Sequence, residues 1–324
     1  PKSEQTEAGM EQVRQMDYSG ALMTLDSALS AGEDARLVYR GKGLAYMGMT
    51  QYEQAVEQFT ECLHLSDGRV QDVDFDVNYY LAVAYFRNGQ VEQARDTYTA
   101  ILSLRPEETE AHYLRGVTEL AGGAYEEAQK DFDSVLKLTS WDCDRLLSIY
   151  QSLSDYGYKE IGQQYLEAAL QEKGDRLNTY DKGRIYYYLE DYGQACSLLE
   201  QSRDSAGAEA CLYLGRAYEA TGDYNYATSV YNSFLAKDTS NAEVYNQLGL
   251  CRMKQGEYEA ALEAFQTAMK TEPEELMQTL QFNEIVAYEY LGEFQKAAVL
   301  MDHYVTTYPD DENAAREYEF LKTR

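Results

Sequence analysis

Between Ala242 and Pro273 the apolar positions recur with helical period twice over. Tyr245, Leu248, Gly249 and Arg252 fall at i, i+3, i+4 and i+7, and Tyr258, Ala261, Phe265 and Ala268 form a second such stripe, so the segment predicts two short helices. Gly256 stands between them, where a left-handed residue ends the first helix, and Pro273 follows the second, where its missing N–H does least harm. Gly249 and Ala261 are expected to face each other, their small side chains letting the two backbones approach.

The same double stripe returns along the chain. With the alanine of the second helix as marker, the equivalent positions are Ala21, Ala55, Ala94, Ala128, Gly162, Ala195, Ala227, Ala261 and Ala297, at intervals of 34, 39, 34, 34, 33, 32, 34 and 36 residues. Tyr39, Gly43, Tyr46, Tyr52, Ala55 and Phe59 give one close copy; Leu214, Gly215, Tyr218, Gly222, Tyr224, Ala227 and Tyr231 give another. A period of 34 residues carrying two helices resembles the tetratricopeptide repeat. The resemblance implies an all-α fold, a right-handed superhelical solenoid of nine helix pairs spanning residues 2–311, with repeats at about 2–35, 36–69, 75–108, 109–142, 143–175, 176–207, 208–241, 242–275 and 278–311. Residues 312–324 then read as a C-terminal capping helix, with Ala314, Tyr318 and Leu321 on one face and Lys322 and Arg324 at the end that the helix dipole favours for cations. Two copies depart from the pattern: Gln12 replaces an aromatic in the first, and in the fifth Tyr150 stands where a small residue belongs while Gly162 takes the alanine site. A local irregularity is expected at the fifth.

Composition narrows the chemistry. An apolar fraction of 44% with 31 tyrosines supplies helix-pair packing, and four prolines exclude a Pro-rich disordered chain. No apolar run approaches the roughly 18–20 residues of a membrane span. Acidic residues outnumber basic ones 56 to 28, a net charge of −28 whose field repels phosphate backbones. Nucleic acid is therefore not an expected partner, and a helical-repeat RNA binder would need a basic groove that this composition lacks. The five cysteines have no metal-ligand spacing and read as buried small hydrophobes; no motif implies a metal or cofactor. The polar start at Pro1 with Tyr-rich repeats is similar to surface lipoproteins of Gram-positive bacteria, which implies a surface-anchored protein after leader removal. Free cysteines suit a reducing cytoplasm instead.

The family resemblance also implies that the first helices line a concave groove. Mapped onto this chain, the partner-binding candidates are Arg40, Tyr79, Val83, Phe86 and Tyr113 in the second to fourth copies. Tyr180, Arg184, Tyr187, Arg216 and Asn246 follow in the sixth to eighth, with Leu44, Val117 and Leu212 between them and Leu250, Phe282 and Val286 beyond. Tyrosine and arginine bury large area at low entropic cost and anchor bound segments. Arg184 and Arg216 are candidates to hold an anionic group of a partner; pairing with Glu209 and Glu219 is the alternative. Acids such as Glu126, Glu127, Asp131 and Asp133 are expected to face outward from the second helices. The Lys and Asn arrangement by which one subclass of the family grips chaperone C-termini is missing, its sites being Arg40 with Leu44, Tyr79 with Val83 and Tyr113 with Val117.

The remaining motifs are weak. Asp72 to Asn78 alternates carboxylates as a calcium loop does, but Val77 replaces the turn glycine and Val83 the closing Glu; N-capping by Asp74 and dipole stabilisation by Asp76 explain the run with less. Arg40-Gly41-Lys42-Gly43 lies inside a predicted helix with no preceding strand, which excludes a phosphate loop. His64, His112 and His303 lie in different copies, and no nucleophile with its base can be assembled from spacing. The reading is a non-enzymatic scaffold that binds a protein or peptide in a Tyr/Arg-lined groove. A peptide-sensing regulator is one alternative; an enzyme, which would need an unrecognised site near the fifth copy, is the other.

Overall fold

A computed structural model describes residues 3–323; Pro1, Lys2 and Arg324 lie outside the described residues, and with them the expected boundary at residue 2 and the basic end at Arg324. Among the described residues there are nineteen α-helices and no strand. The chain divides into two compact units, Pro1–Ala169 and Leu170–Arg324. The first holds α1 (Glu4–Arg14), α2 (Tyr18–Ser30), α3 (Ala35–Gly48), α4 (Tyr52–His64), α5 (Asp72–Arg87), α6 (Val91–Leu104), α7 (Thr109–Ala121), α8 (Tyr125–Leu138), α9 (Cys143–Asp155) and most of α10 (Lys159–Lys173). The second holds α11 (Thr179–Tyr188), α12 (Tyr192–Gln201), α13 (Gly207–Ala220), α14 (Tyr224–Leu235), α15 (Ala242–Lys254), α16 (Tyr258–Met269), α17 (Met277–Tyr290), α18 (Phe294–Thr307) and α19 (Glu312–Leu321). Each unit is a run of helical hairpins, and the fold class is an all-α helical repeat solenoid.

The hairpin turns share one backbone device. The residue five places before each marker has a positive φ, from Gly89 and Gly123 to Gly256 and Gly292, so the first helix ends in a left-handed residue. At Gly256 its N–H donates to the Met253 carbonyl at 3.0 Å and the next N–H, of Glu257, to Arg252 at 2.9 Å. Met16, Thr50 and Glu190 hold the same conformation without being glycine, at φ 60°, 57° and 63°.

Packing within the hairpins corrects one expectation. A Cβ on Gly249 would lie 2.4 Å from the Phe265 ring, and one on Gly43 would lie 2.4 Å from Phe59, so the glycine of the first helix is a notch for the aromatic four residues after the marker. Gly249 thus faces Phe265 rather than Ala261, which is itself fully buried. The fifth hairpin solves its size problem by exchange. Tyr150 is buried, and a Cβ on Gly162 would meet its ring at 2.9 Å, so the glycine at the marker makes room for the phenol while α9 and α10 keep their helical form. At the C-terminus, Asp311 accepts a hydrogen bond from the Ala314 N–H at 3.0 Å to start α19, whose Ala314 and Leu321 join Met301 and Tyr304 in one buried cluster.

Candidate partner-binding faces of the first helices

In the first unit the polar candidates on α3, α5 and α7 already have partners within the chain. Arg40 pairs with Asp76 and lies 5.7 Å from the Tyr80 ring centre. The Tyr79 hydroxyl donates to Glu108 at 3.4 Å; burial first and then that carboxylate push it up to about 12. Tyr113 shares a 2.9 Å hydrogen bond with the Ser152 hydroxyl, while the Arg145 guanidinium lies over its ring and pairs with Glu110 at 2.6 Å. Val83 and Phe86 are half-buried beside them. The arrangement is apolar and aromatic with its charges already matched.

Two acidic positions differ from expectation. Asp131 does not face outward: it is 3% exposed and accepts from His112 Nδ1 at 2.7 Å and from Arg115 Nε and Nη2 at 2.7 and 2.8 Å. His112 Nε2 meets the Pro106 carbonyl at 2.9 Å, so both ring nitrogens face acceptors, and the Asp131 hydrogen bond raises the imidazole's pKa. Helix α5 begins at Asp72, earlier than expected, so Asp74 is not the N-cap; its carboxylate accepts from the Gln71 N–H at 2.7 Å and pairs with Arg36. Asp72, Asp74 and Asp76 go to Arg105, Arg36 and Arg40 respectively, so the alternating carboxylates diverge instead of closing on one point.

In the second unit the structure brings the predicted residues into two clusters. Arg184 is 6% exposed, pairs with Asp181 at 2.5 Å and Glu209 at 3.5 Å, and stacks over Tyr180 at 4.6 Å. The internal pairing thus takes Arg184, and with Glu209 as one partner. Tyr187 packs edge-on against Tyr188, Tyr192 and Tyr213, at ring distances of 5.2, 5.8 and 5.5 Å. Arg216 is more open. Its Nε donates to Gln247 at 3.2 Å and its nearest carboxylate is Glu243 at 3.8 Å, not Glu219. Glu219 is buried and accepts from the Tyr231 hydroxyl at 2.6 Å, Gln247 Nε2 at 2.9 Å and Lys254 Nζ at 3.2 Å.

Next to this network, α15, α16 and α17 line an open cavity of about 510 Å³. Leu250, Met253, Phe265 and Val286 give it apolar surface, Tyr258 and Tyr290, stacked at 5.0 Å, line it as well, and Gln247, Lys254 and Asn283 supply polar groups. Asn283 Nδ2 donates to Asn246 Oδ1 at 2.9 Å, which fixes both amides. An apolar surface with a few oriented amides is what takes up a protein segment carrying both side chains and peptide groups. Of these residues, the sequence reading named Asn246, Leu250 and Val286, and Glu219 as a possible partner of the arginines, but missed Gln247, Lys254 and Asn283. The available signal was two amides on otherwise apolar faces of first helices.

Other chemistry is sparse. None of the five cysteines is in a disulfide; burial pushes the Cys211 thiol up to about 11 and that of Cys251 to about 12, which keeps these two protonated. Among the described residues no group of three or more His, Cys, Asp or Glu could hold a metal ion, and no helix is long and apolar enough to cross a membrane.

Comparison with known proteins places these features. A tetratricopeptide repeat model matches residues 40–106, 79–140 and 180–242, and a second model of the same description matches 242–275. The chain is 22% identical over 288 residues to the DnaJ homolog subfamily C member 3 of Gallus gallus, covering 83% of this chain and 52% of that protein; it spans about half the relative's length. A crystal structure of a tetratricopeptide repeat protein from Parabacteroides merdae superposes with a TM-score of 0.50 at 16% identity, over 88% of this chain and 98% of that one. A crystal structure of MamA reaches a TM-score of 0.42 at 18% identity, over 52% and 95%. None of these relatives is described as a surface lipoprotein.

Proposed function

We propose that this chain, which belongs to the tetratricopeptide repeat family, is a protein-interaction scaffold that holds a segment of a partner protein along the first helices of its hairpins. Repeats of this family bind other proteins. The carrying observation is the cavity between α15 and α17, lined by Leu250, Met253 and Val286 together with Gln247, Lys254 and Asn283. A segment lying there buries apolar side chains on the apolar lining while its peptide groups meet the amides. Arg216 and Asn246 belong to the same face; Arg184 and Tyr187 act as its support, since their own polar and aromatic partners are internal.

The test is a selection from a random peptide library against the whole chain, followed by binding of the enriched peptides to a Leu250→Gln, Val286→Gln variant. Both positions are half-buried, so the variant is expected to fold. Removing two apolar contacts should weaken binding by roughly tenfold or more. Peptides that bind the variant as well as the native chain would move the site elsewhere.

A further inference from the structure

We propose that the bound segment carries a basic side chain, arginine or lysine, that enters a second cavity beside the first; the inference rests on the scaffold reading above and extends it. This cavity, of about 330 Å³, lies among α17, α18 and the start of α19, with Gln278, Phe282, Asn283, Tyr304 and Asp311 in its lining. Asn283 lines both cavities, so they are neighbours on α17, one towards α15 and the other towards α19, and a single segment can pass between them. Packed helices lie about 8–10 Å apart, a distance that an extended chain covers in about three residues. The basic residue is therefore placed about three positions from the apolar ones.

Of the residues that line this cavity, Asp311 alone is charged. Its Oδ1 accepts from the Ala314 N–H at 3.0 Å, as the N-cap of α19, and its Oδ2 from the Tyr304 hydroxyl at 2.9 Å. The first of these bonds and then the second hold the carboxyl below the ordinary carboxylate range, so it is ionised at neutral pH. Both donors are neutral groups. The N-terminus of α19 offsets only about half an elementary charge, and among the described residues no cation pairs with Asp311: Arg316 and Lys322, the nearest in sequence, go to Glu312 and Glu319. Acids among the candidate residues of the other first helices are treated differently. Asp76, Glu108 and Glu110 meet Arg40, Arg105 and Arg145, and Asp181 and Glu209 share Arg184. Nor does the cap itself require a charge, since Asn178 and Asn241 cap α11 and α15.

The neutral groups of the lining select in the same sense. Gln278 Nε2 donates to the Tyr304 hydroxyl at 3.1 Å, and Asn283 Nδ2 donates to Asn246 Oδ1 at 2.9 Å. Each amide thus spends an N–H inside the fold, and among the described residues no donor meets its carbonyl oxygen. The cavity presents a carboxylate and amide carbonyls as acceptors, beside the Phe282 and Tyr304 rings, whose centres are 5.7 Å apart. Arginine and lysine donate and never accept, and their aliphatic stems lie along apolar surface. An acidic side chain there meets a like charge, and an apolar one leaves the acceptors without donors.

The experiment selects a displayed random peptide library on the full chain and measures the enriched sequences, made as fluorescent synthetic peptides, by anisotropy. Asp311→Asn keeps the cap, because asparagine caps a helix as well as aspartate does, and unchanged melting verifies it. Asp310→Asn removes the same charge from the exposed neighbour and serves as control. Enriched peptides are expected to carry arginine or lysine about three residues from their apolar positions, and changing that residue to glutamine should weaken binding to the native chain roughly fivefold. The same change should leave binding to the Asp311→Asn variant as it was, and Asp310→Asn should behave as the native chain does. Enriched peptides with no basic residue there, an equal loss on the native chain and on Asp311→Asn, or an equal effect of Asp310→Asn overturns this proposal and leaves the scaffold reading standing. Peptides that bind the Leu250→Gln, Val286→Gln variant as well as the native chain overturn both, as does a library from which nothing is enriched.

Discussion

In the first unit Leu63, Ala100 and Leu104 line the cleft between second helices; at the same repeat places in the second unit stand Arg203, Ser233 and Lys237. The buried acids differ in the same way. Asp131 in the first unit is held by a guanidinium and an imidazole, whereas Glu219 in the second is held by a phenol, an amide and an ammonium group that is itself half in solvent. What is common to both units is narrower: the left-handed turn, the marker alanine and the glycine notch filled by an aromatic. Those features set the backbone of a hairpin. Every other position is open to different chemistry, and so the interaction surfaces of the two units need not resemble each other.

The largest expected effect tests the two acid clusters. Arg115→Ala leaves Asp131 buried with only His112 beside it and Glu119 close by, a change expected to cost about 3 kcal/mol in urea unfolding. Lys254→Ala should cost less than about 1 kcal/mol, since the lysine is half exposed and Glu219 keeps Tyr231 and Gln247. Similar losses from both substitutions would show that the clusters are equivalent after all.

A smaller effect should depend on pH. Burial first and then the charge of Asp131 raise the Glu119 carboxyl to about 8, and its Oε2 meets no hydrogen-bond donor among the described residues. Burial of Asp131 acts in the same upward sense but is outweighed by the Arg115 and His112 hydrogen bonds, which hold Asp131 low and leave the proton on Glu119. A carboxyl raised on folding stabilises the fold fully below its unfolded value of 4.5, and that contribution is lost as the pH climbs through about 8. His112, also raised, acts with the same sign. Glu119→Gln should therefore be close to neutral at low pH and more stable than the native chain at pH ~9, by on the order of 2 kcal/mol. In the second unit burial and Glu317 raise Glu289 to about 7, so Glu289→Gln should show the same trend with smaller size. A native chain that melts no lower at pH ~9 than at pH ~6 would contradict both assignments.

Much of this was legible from spacing, because a marker that returns every 34 residues or so fixes helices, turns and the cap at once. Less legible was anything that depends on which groups meet between hairpins. Asp131 looks like a surface acid in a helix with Glu126, Glu127 and Asp133, and only the approach of His112 and Arg115 from α7 makes it a buried one. Arg184 could read as a ligand-binding arginine or as an internal partner of Glu209, and only the structure sets Asp181 and Glu209 against it. Gly249 suggested a contact with another small residue because sequence gives size, not direction; the ring of Phe265 reaches it from the next turn of α16. The leucines at 65 and 104 fit an apolar stripe, and only their exposure sets them apart from the core.

The smallest effect concerns the device both units share. Thr50 sits at φ 57°, where its branched side chain crowds the backbone, while the second unit has Gly222, Gly256 and Gly292 at the matching place. Thr50→Gly relieves that strain but enlarges the unfolded ensemble, two terms of opposite sign. Left-handed strain on a non-glycine residue is about 1–2 kcal/mol, and the entropy returned to the unfolded chain is about 0.4–1 kcal/mol, so a net gain of roughly 0.5–1 kcal/mol is expected. Gly256→Thr should lose a similar amount in the other unit. If Thr50→Gly stabilises but Gly256→Thr is neutral, the turn of the second unit can leave the left-handed region. The turn would then be shared by the two units in form without being demanded by both.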